Sequence, residues 1–466
     1  MPRYLGLLLL ASLTTNALAD KVLRFPIIEQ PTSQIAKRDV GAASIFNFNS
    51  REYIIEIGLG TPAQNFNVTL DTGSSGLWVP SSACPSSDCL YSRFNETASS
   101  TLNHTGKPFD AQYGSRSAKG LLAYDSVTFT LLNANDSFMN WTSPNHLIGL
   151  ANTTTGMSPS PSSTRVSGVL GLGLSELQSD PTGRTFVEQL YANGLINSPV
   201  FSIFLNRQAN HGYSGQLVFG GLDESRLQND IYLIDLLQYN KQGQPNIGKS
   251  YKRNATDLTF KYWAVAGQGV SSSKTNHSQI FKNYYKEVVP VILDTGTTLS
   301  YLPEQDVISI LETITKDYAP LKLNDGAAQG YQVNCSDFTK EDMWFDFELT
   351  AAMGYTDDPA IVRVPLVEMA LPQDTQDINT ATSCLFGLAP ISNNSPHGYG
   401  WILGQTVLRS AYVVYNMEDY TVLIGQATNN YTIPYAKSLA VTSQACHQHY
   451  YILVLSFLII TLSHFL

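Results

Sequence analysis

The sequence predicts a mostly-β fold built from two similar halves. Three observations carry that prediction. Apolar–polar alternation of strand length recurs along the 466 residues, while good helical segments are few. The tripeptide Asp-Thr-Gly occurs twice, each time after an apolar run: Asp71-Thr72-Gly73-Ser74-Ser75 follows Phe66 to Leu70, and Asp294-Thr295-Gly296-Thr297-Thr298 follows Val288 to Leu293. Each copy is followed, about a hundred residues later, by an apolar–apolar–Gly segment, Val169-Leu170-Gly171 and Ile402-Leu403-Gly404, which makes a repeat at domain scale. At average residue usage only about 0.1 copies of Asp-Thr-Gly are expected by chance in a chain this long.

Taken in order, the elements begin with Glu52 to Gly58, a short strand closed by Gly58-Leu59-Gly60-Thr61-Pro62. That segment fits a G-x-G-x-x-A pattern. Pro62 and a second strand follow at once, with no helix to receive a pyrophosphate, so it reads as a turn. The strand before Asp71 comes next, then Leu121 to Phe129, whose second half alternates. Further strands are expected at Val200–Leu205, Gln216–Phe219, Ile231–Asp235, Tyr262–Val265 and Ala411–Tyr415. Helices are expected at Thr185–Asn193 and at Glu304–Lys316, the second opening after Pro303 with acidic residues in its first turn. Two polar stretches, Asn133–Thr164 and Tyr239–Thr256, read as surface insertions.

The flanks concern export rather than fold. Arg3, the apolar stretch Leu5–Leu13 and Ala17-Leu18-Ala19 read as a signal peptide over residues 1–19. Residues 20–38, ending in Lys37-Arg38, read as a pro-segment removed at the dibasic pair. The halves are expected over residues 39–222 and 223–435, with the boundary near Gly220 to Ser225. Residues 436–466 carry small residues, a short polar spacer at Cys446 to His449 and an apolar run to Leu466 with no basic residue after it. That order matches a GPI-attachment signal; the rival is a single C-terminal membrane span.

A formal net charge of −10 argues against nucleic acid as a partner. The eight histidines form no metal-binding motif, and no metal or cofactor is expected. Of the five cysteines, Cys446 lies in the segment that GPI transfer discards, leaving Cys84, Cys89, Cys335 and Cys384 for two bridges in an exported protein. Asn-x-Ser/Thr sequons at Asn67, Asn95, Asn103, Asn135, Asn140, Asn152, Asn254, Asn276, Asn334, Asn393 and Asn430 mark candidate glycan sites, with Asn67 the doubtful one because it lies in a strand.

Paired aspartates have a specific chemistry. Two carboxylates about 3 Å apart cannot both ionise, so they share one proton. The ionised one can take a proton from water while the protonated one donates to a carbonyl oxygen, and the water attacks that carbonyl without a covalent intermediate. Gly73 and Gly296 permit tight turns beside each carboxylate, Thr72 and Thr295 can bond across the pair, and Ser74 and Thr297 can orient the outer oxygens. A single copy would read as an Asx turn at a strand end; two copies in two halves do not.

On these residues the chain resembles the pepsin-like aspartic proteases, from about Phe46 to Ile433. The matching segments are Asp71 to Pro80, Tyr113-Gly114-Ser115, Asp294 to Thr298 and Trp401 to Gly404. The resemblance implies a bilobal all-β fold with the site in a cleft between lobes, and Asp71 and Asp294 as the catalytic pair. It implies a flap that covers bound peptide, with Tyr113 near its tip able to bond Trp78. It also implies the bridges Cys84–Cys89 and Cys335–Cys384 and an inhibitory role for residues 20–38. Together with the flanks it is similar to fungal cell-surface enzymes of the yapsin type, which implies a GPI-anchored monomer that acts on peptides or proteins at the cell surface. Ser115-Arg116 stands where basic-specific relatives often have Asp, which withholds support from a preference for basic residues. Gln405 stands where many relatives have Asp, a change that bears on the pH profile. The rival readings are a catalytically silent relative that binds peptide or wall polymer, and a glycosidase, which needs carboxylates about 5 Å or more apart.

Overall fold

The computed structural model describes residues 23–29, 439–440 and 53–428. The last range is interrupted at 90, 114–115, 133–137, 157–165, 207–212, 249–256, 275–278, 323–327, 340–342, 352–353, 376 and 392–399. The signal peptide, Lys37-Arg38, the flap residues Gly114 and Ser115, and the C-terminal apolar run therefore lie outside the described residues, as do the sequons at Asn135, Asn254, Asn276, Asn393 and Asn430.

The fold is all-β, and its two halves repeat one local arrangement. In the first, Gln64–Asp71 runs parallel to Val166–Gly171, with Asp71 opposite Gly171. The chain turns at Asp71 and returns as Leu77–Pro80, antiparallel to Val166–Gly171 and parallel to Phe138–Thr155. In the second, Gln279–Leu293 runs parallel to Trp401–Leu403, with Leu293 opposite Leu403. The returning strand Ser300–Leu302 is antiparallel to Trp401–Leu403 and parallel to Leu388–Pro390. The sequence repeat is thus a repeat of strand connectivity, and it sets each aspartate at the mouth of the same crossover.

One sheet joins the halves. Ala411–Asn416, from near the C-terminus, pairs with Val200–Leu205 of the first half and with Thr421–Ala427. On the other side of Val200–Leu205 lies Tyr213–Phe219, then Leu23–Glu29, then Tyr53–Leu59. Above this sheet Phe201, Trp263 and Tyr415 pack ring against ring at 4.7–5.7 Å. All three are buried. Burying three aromatics from three distant segments favours closure of the halves by several kcal/mol.

The outer strand Asn103–Tyr113 pairs with Arg116–Leu132, and that strand pairs with Phe138–Thr155 in a long hairpin. The Asn133–Thr164 insertion is therefore corrected: residues 138–155 are strand. Its threonines and apolar positions suit a pleated surface, and the Asn and Ser content hid the alternation. The first predicted helix spans Phe186–Ala192, capped by Thr185 in a capping box with Glu188. The second stops at Leu311, five residues short of Lys316, after which the chain forms turns. The segment Tyr239–Thr256 starts with a two-residue strand, Tyr239–Asn240, so it is not wholly loop. The strand expected at Tyr262 begins at Ala264. Bridges join Cys84 to Cys89 and Cys335 to Cys384.

Candidate active site

Each Asp-Thr-Gly turn grips its own aspartate in the same way. The Gly73 N–H donates to Asp71 Oδ1 at 2.8 Å, and Ser74 Oγ donates to Oδ2 at 2.5 Å. Gly296 N–H donates to Asp294 Oδ1 at 2.8 Å, and Thr297 Oγ1 donates to Oδ2 at 2.5 Å. Each carboxylate is fixed at both oxygens, which leaves little rotational freedom to lose when a reactant binds.

The threonines lock the halves together. Thr72 N–H donates to Thr295 Oγ1 at 3.2 Å, and Thr295 N–H donates to Thr72 Oγ1 at 3.0 Å. Each hydroxyl then donates onward, Thr72 to the Leu293 carbonyl at 2.8 Å and Thr295 to the Leu70 carbonyl at 3.1 Å. Both threonines are 1% exposed, so loss of either leaves buried partners unpaired. The lock needs glycine on both sides. A Cβ on Gly296 would stand 2.4 Å from Asp71 Oδ1, and one on Gly73 would stand 2.8 Å from the Asp294 carboxyl. Each turn is therefore shaped to admit the opposite aspartate.

This proximity shows in the electrostatics. Burial and the neighbouring Asp294 carboxylate push Asp71 up to about 7. Ser74 and Gly73 oppose that shift by bonding the charged form. Asp71 therefore holds its proton well above the ordinary carboxylate range.

Tyr113 closes the constellation. Trp78 Nε1 donates to its hydroxyl at 2.8 Å. Burial, then the charge of Asp71, raises the Tyr113 phenol, so it stays protonated. Phe109, on the same strand, packs on the Trp78 ring at 6.2 Å. Of the expected site residues, the structure brings together Asp71, Thr72, Gly73, Ser74, Trp78, Tyr113, Asp294, Thr295, Gly296 and Thr297. Gln405 is buried behind the second turn, with Nε2 donating to the Thr295 carbonyl at 2.9 Å.

Other supports left no motif to read. Trp263 Nε1 donates to the Leu172 carbonyl at 2.9 Å, and Leu172 N–H donates to the Asp71 carbonyl at 2.7 Å. In the second half Asp294 N–H donates to the Leu403 carbonyl at 3.0 Å. Main-chain acceptors are invisible in a sequence. The pairing of Trp263 with the first half had one usable signal, a tryptophan set in an apolar strand segment of the opposite half.

The family model for eukaryotic aspartyl proteases matches residues 52–427. Aspartic proteinase yapsin-3 of Saccharomyces cerevisiae is 28% identical over 416 residues, spanning 84% of this chain and 70% of its own. Gastricsin of Homo sapiens is 30% identical over 368 residues, 78% of this chain and 79% of its own. A probable vacuolar protease A of Trichophyton verrucosum is 29% identical over 384 residues, 82% and 80% of the two chains.

Proposed function

The chain belongs to the eukaryotic aspartyl protease family and is an aspartic-type endopeptidase, and from that premise we propose that Asp71 and Asp294 are its catalytic pair. The reciprocal Thr72–Thr295 lock carries this reading, because it holds one carboxylate from each half against the other, Asp71 buried and Asp294 partly exposed. A water bridging the pair gives one proton to the ionised carboxylate as its oxygen attacks the peptide carbonyl carbon. The protonated carboxyl donates to the carbonyl oxygen as that oxygen gains charge. Collapse of the tetrahedral intermediate breaks the C–N bond, and the amine leaves with a proton from the pair. The hydrogen bond from Trp78 holds Tyr113, taken as the flap tyrosine, within reach of the Asp71 charge.

Ionised carboxylates at both positions would repel, so turnover is expected on the acid side, where the pair keeps one proton. Gln405 donates to the Thr295 carbonyl, a bond that an aspartate there could make only when protonated. Gln405→Asp is therefore expected to alter the pH profile.

The remaining readings concern place and processing. Residues 39–222 and 223–435 are taken as the two lobes. Residues 20–38 are taken as the pro-segment; pairing of Leu23–Glu29 with Tyr213–Phe219 supports a specific seat for it. Sequons Asn95, Asn103, Asn140 and Asn334 are exposed, which supports glycosylation in a secretory route. We place the protein as a monomer on the cell surface, held by a GPI anchor and acting on secreted or surface proteins. Its relatives' names do not agree on a compartment, since one is termed vacuolar.

Cleavage of a peptide library from acid to neutral pH, with and without pepstatin, tests the chemistry. Asp71→Asn and Asp294→Asn should each abolish pepstatin-sensitive turnover; activity that survives either one removes the dyad. Release from cells by a phosphatidylinositol-specific phospholipase separates a GPI anchor from a membrane span.

A further inference from the structure

The strand Asn103–Tyr113, which carries the flap tyrosine, is an edge of the large sheet and, among the described residues, is bonded to a neighbouring strand along one side only. Its pairing with Arg116–Leu132 shifts register between His104 and Pro108. Thr105 Oγ1 holds this bulge by donating to the Leu122 carbonyl at 2.7 Å, and Lys107 N–H donates to Thr105 Oγ1 at 3.1 Å. Bulges re-aim side chains, and this one aims Lys107 out of the hairpin. Lys107 Nζ donates to Asp180 Oδ2 at 2.6 Å. Asp180 is a fixed post. Its other oxygen accepts from Thr182 N–H at 3.1 Å and Thr182 Oγ1 at 2.8 Å, and its carbonyl accepts from Gly183 N–H at 2.9 Å. Gly183 lies tight against Leu147, which seats the turn on Phe138–Thr155. The Asp180 side chain is 6% exposed, against 51% for Lys107. A weaker bond, Ser179 Oγ to the Asp110 carbonyl at 3.5 Å, joins the same turn to the same strand.

We propose that the Lys107–Asp180 pair is a clasp that sets how closely the hairpin covers the dyad, which makes both residues positioning residues for peptide binding. The clasp sits six residues before Tyr113, about 20 Å along an extended strand. Between them Phe109 rests on Trp78. The base of the hairpin is thus held by charge and its middle by packing, while Tyr113 at the far end is held by the Trp78 bond. The Lys107 hydrogen bond, with those from Thr182, keeps the Asp180 carboxyl below its ordinary range, so the clasp is present above that range and lost only as pH falls through the lowered value.

This inference rests on the reading of Asp71 and Asp294 as the dyad and Tyr113 as the flap, and the test separates the two. Lys107→Met, Asp180→Asn, the double variant and Lys107→Arg are made in the full chain. KM for a library-derived peptide should rise about fivefold in either single variant, the size expected of a partly exposed ion pair. kcat should stay within about twofold, since the groups that touch the reacting atoms are unchanged. The double variant should be no worse than either single one, and Lys107→Arg should restore KM. Amide exchange across 109–119, read without substrate, should quicken in Lys107→Met and recover in Lys107→Arg. Wild-type KM with wild-type exchange in the single variants would overturn the clasp, as would a lowered melting temperature alone. Exchange needs no turnover, so it decides the clasp even if the aspartate variants were to remove the dyad.

Discussion

The two oxygens of Asp71 have different donors, Gly73 N–H on Oδ1 and Ser74 Oγ on Oδ2. The backbone donor cannot be removed by a side-chain change, but the hydroxyl can. Ser74 bonds the charged form and so lowers the Asp71 pKa against burial and Asp294, which raise it. Ser74→Ala should therefore let the Asp71 pKa rise. The alkaline limb of the kcat/KM profile should move to higher pH by about one unit, the equivalent of one charge-assisted hydrogen bond. An alkaline limb that stays put would show that Ser74 does not tune Asp71. At this scale Asp71, Thr72, Gly73 and their second-half counterparts were legible because the chemistry demands those side chains at that spacing. Leu70 and Leu293 were not, because they serve through carbonyls that any residue carries.

Among the elements, the strand Phe138–Thr155 was hidden by its Asn and Ser content, yet it carries a pH-sensitive contact. His146, buried on that strand, packs on Phe186 of the helix Phe186–Ala192 with ring centroids 4.7 Å apart. Its Nε2 pairs with Ser143 Oγ at 2.7 Å, and Asn193 Nδ2 donates to that same hydroxyl at 2.9 Å. Burial pushes the imidazole down to about 3. A depressed base stabilises the fold above its ordinary value near 6.5, and the contribution is lost as pH falls toward 3. Wild-type stability in urea should thus drop by up to about 1.4 kcal/mol per pH unit over that window on account of His146. His146→Gln, which has no proton to gain, should lose its own packing at pH 7 yet converge on wild type as the solution is acidified. Parallel stability curves for the two proteins would rule this out. The histidine was visible in the sequence as one of eight; its burial depends on a hairpin that composition concealed.

For the whole molecule, the two-half plan was readable because a duplicated site needs duplicated crossovers. The sheet that joins the halves was not, because Ala411–Asn416 finds Val200–Leu205 across about 200 residues through main-chain bonds. That junction holds the dyad together, so dyad electrostatics and global stability are linked. Asp71 is raised from its ordinary value to about 7 by burial first and by Asp294 second. A raised acid contributes stability that is full below about pH 4 and is lost as pH rises through about 7. The sign is opposite to that of His146, so the fold is pressed from both sides, by protonation of a core histidine in acid and by a second dyad charge near neutrality. Asp71→Asn abolishes the second pressure while keeping the shape. Between pH 4 and 7 the variant should therefore gain on wild type, by up to about 1.4 kcal/mol for each pH unit. Melting temperatures measured across that range should diverge with rising pH in favour of Asp71→Asn. A constant offset would mean that the halves close without opposing the second charge, and the close approach of Asp71 to Asp294 could then not be what limits the folded state at neutral pH.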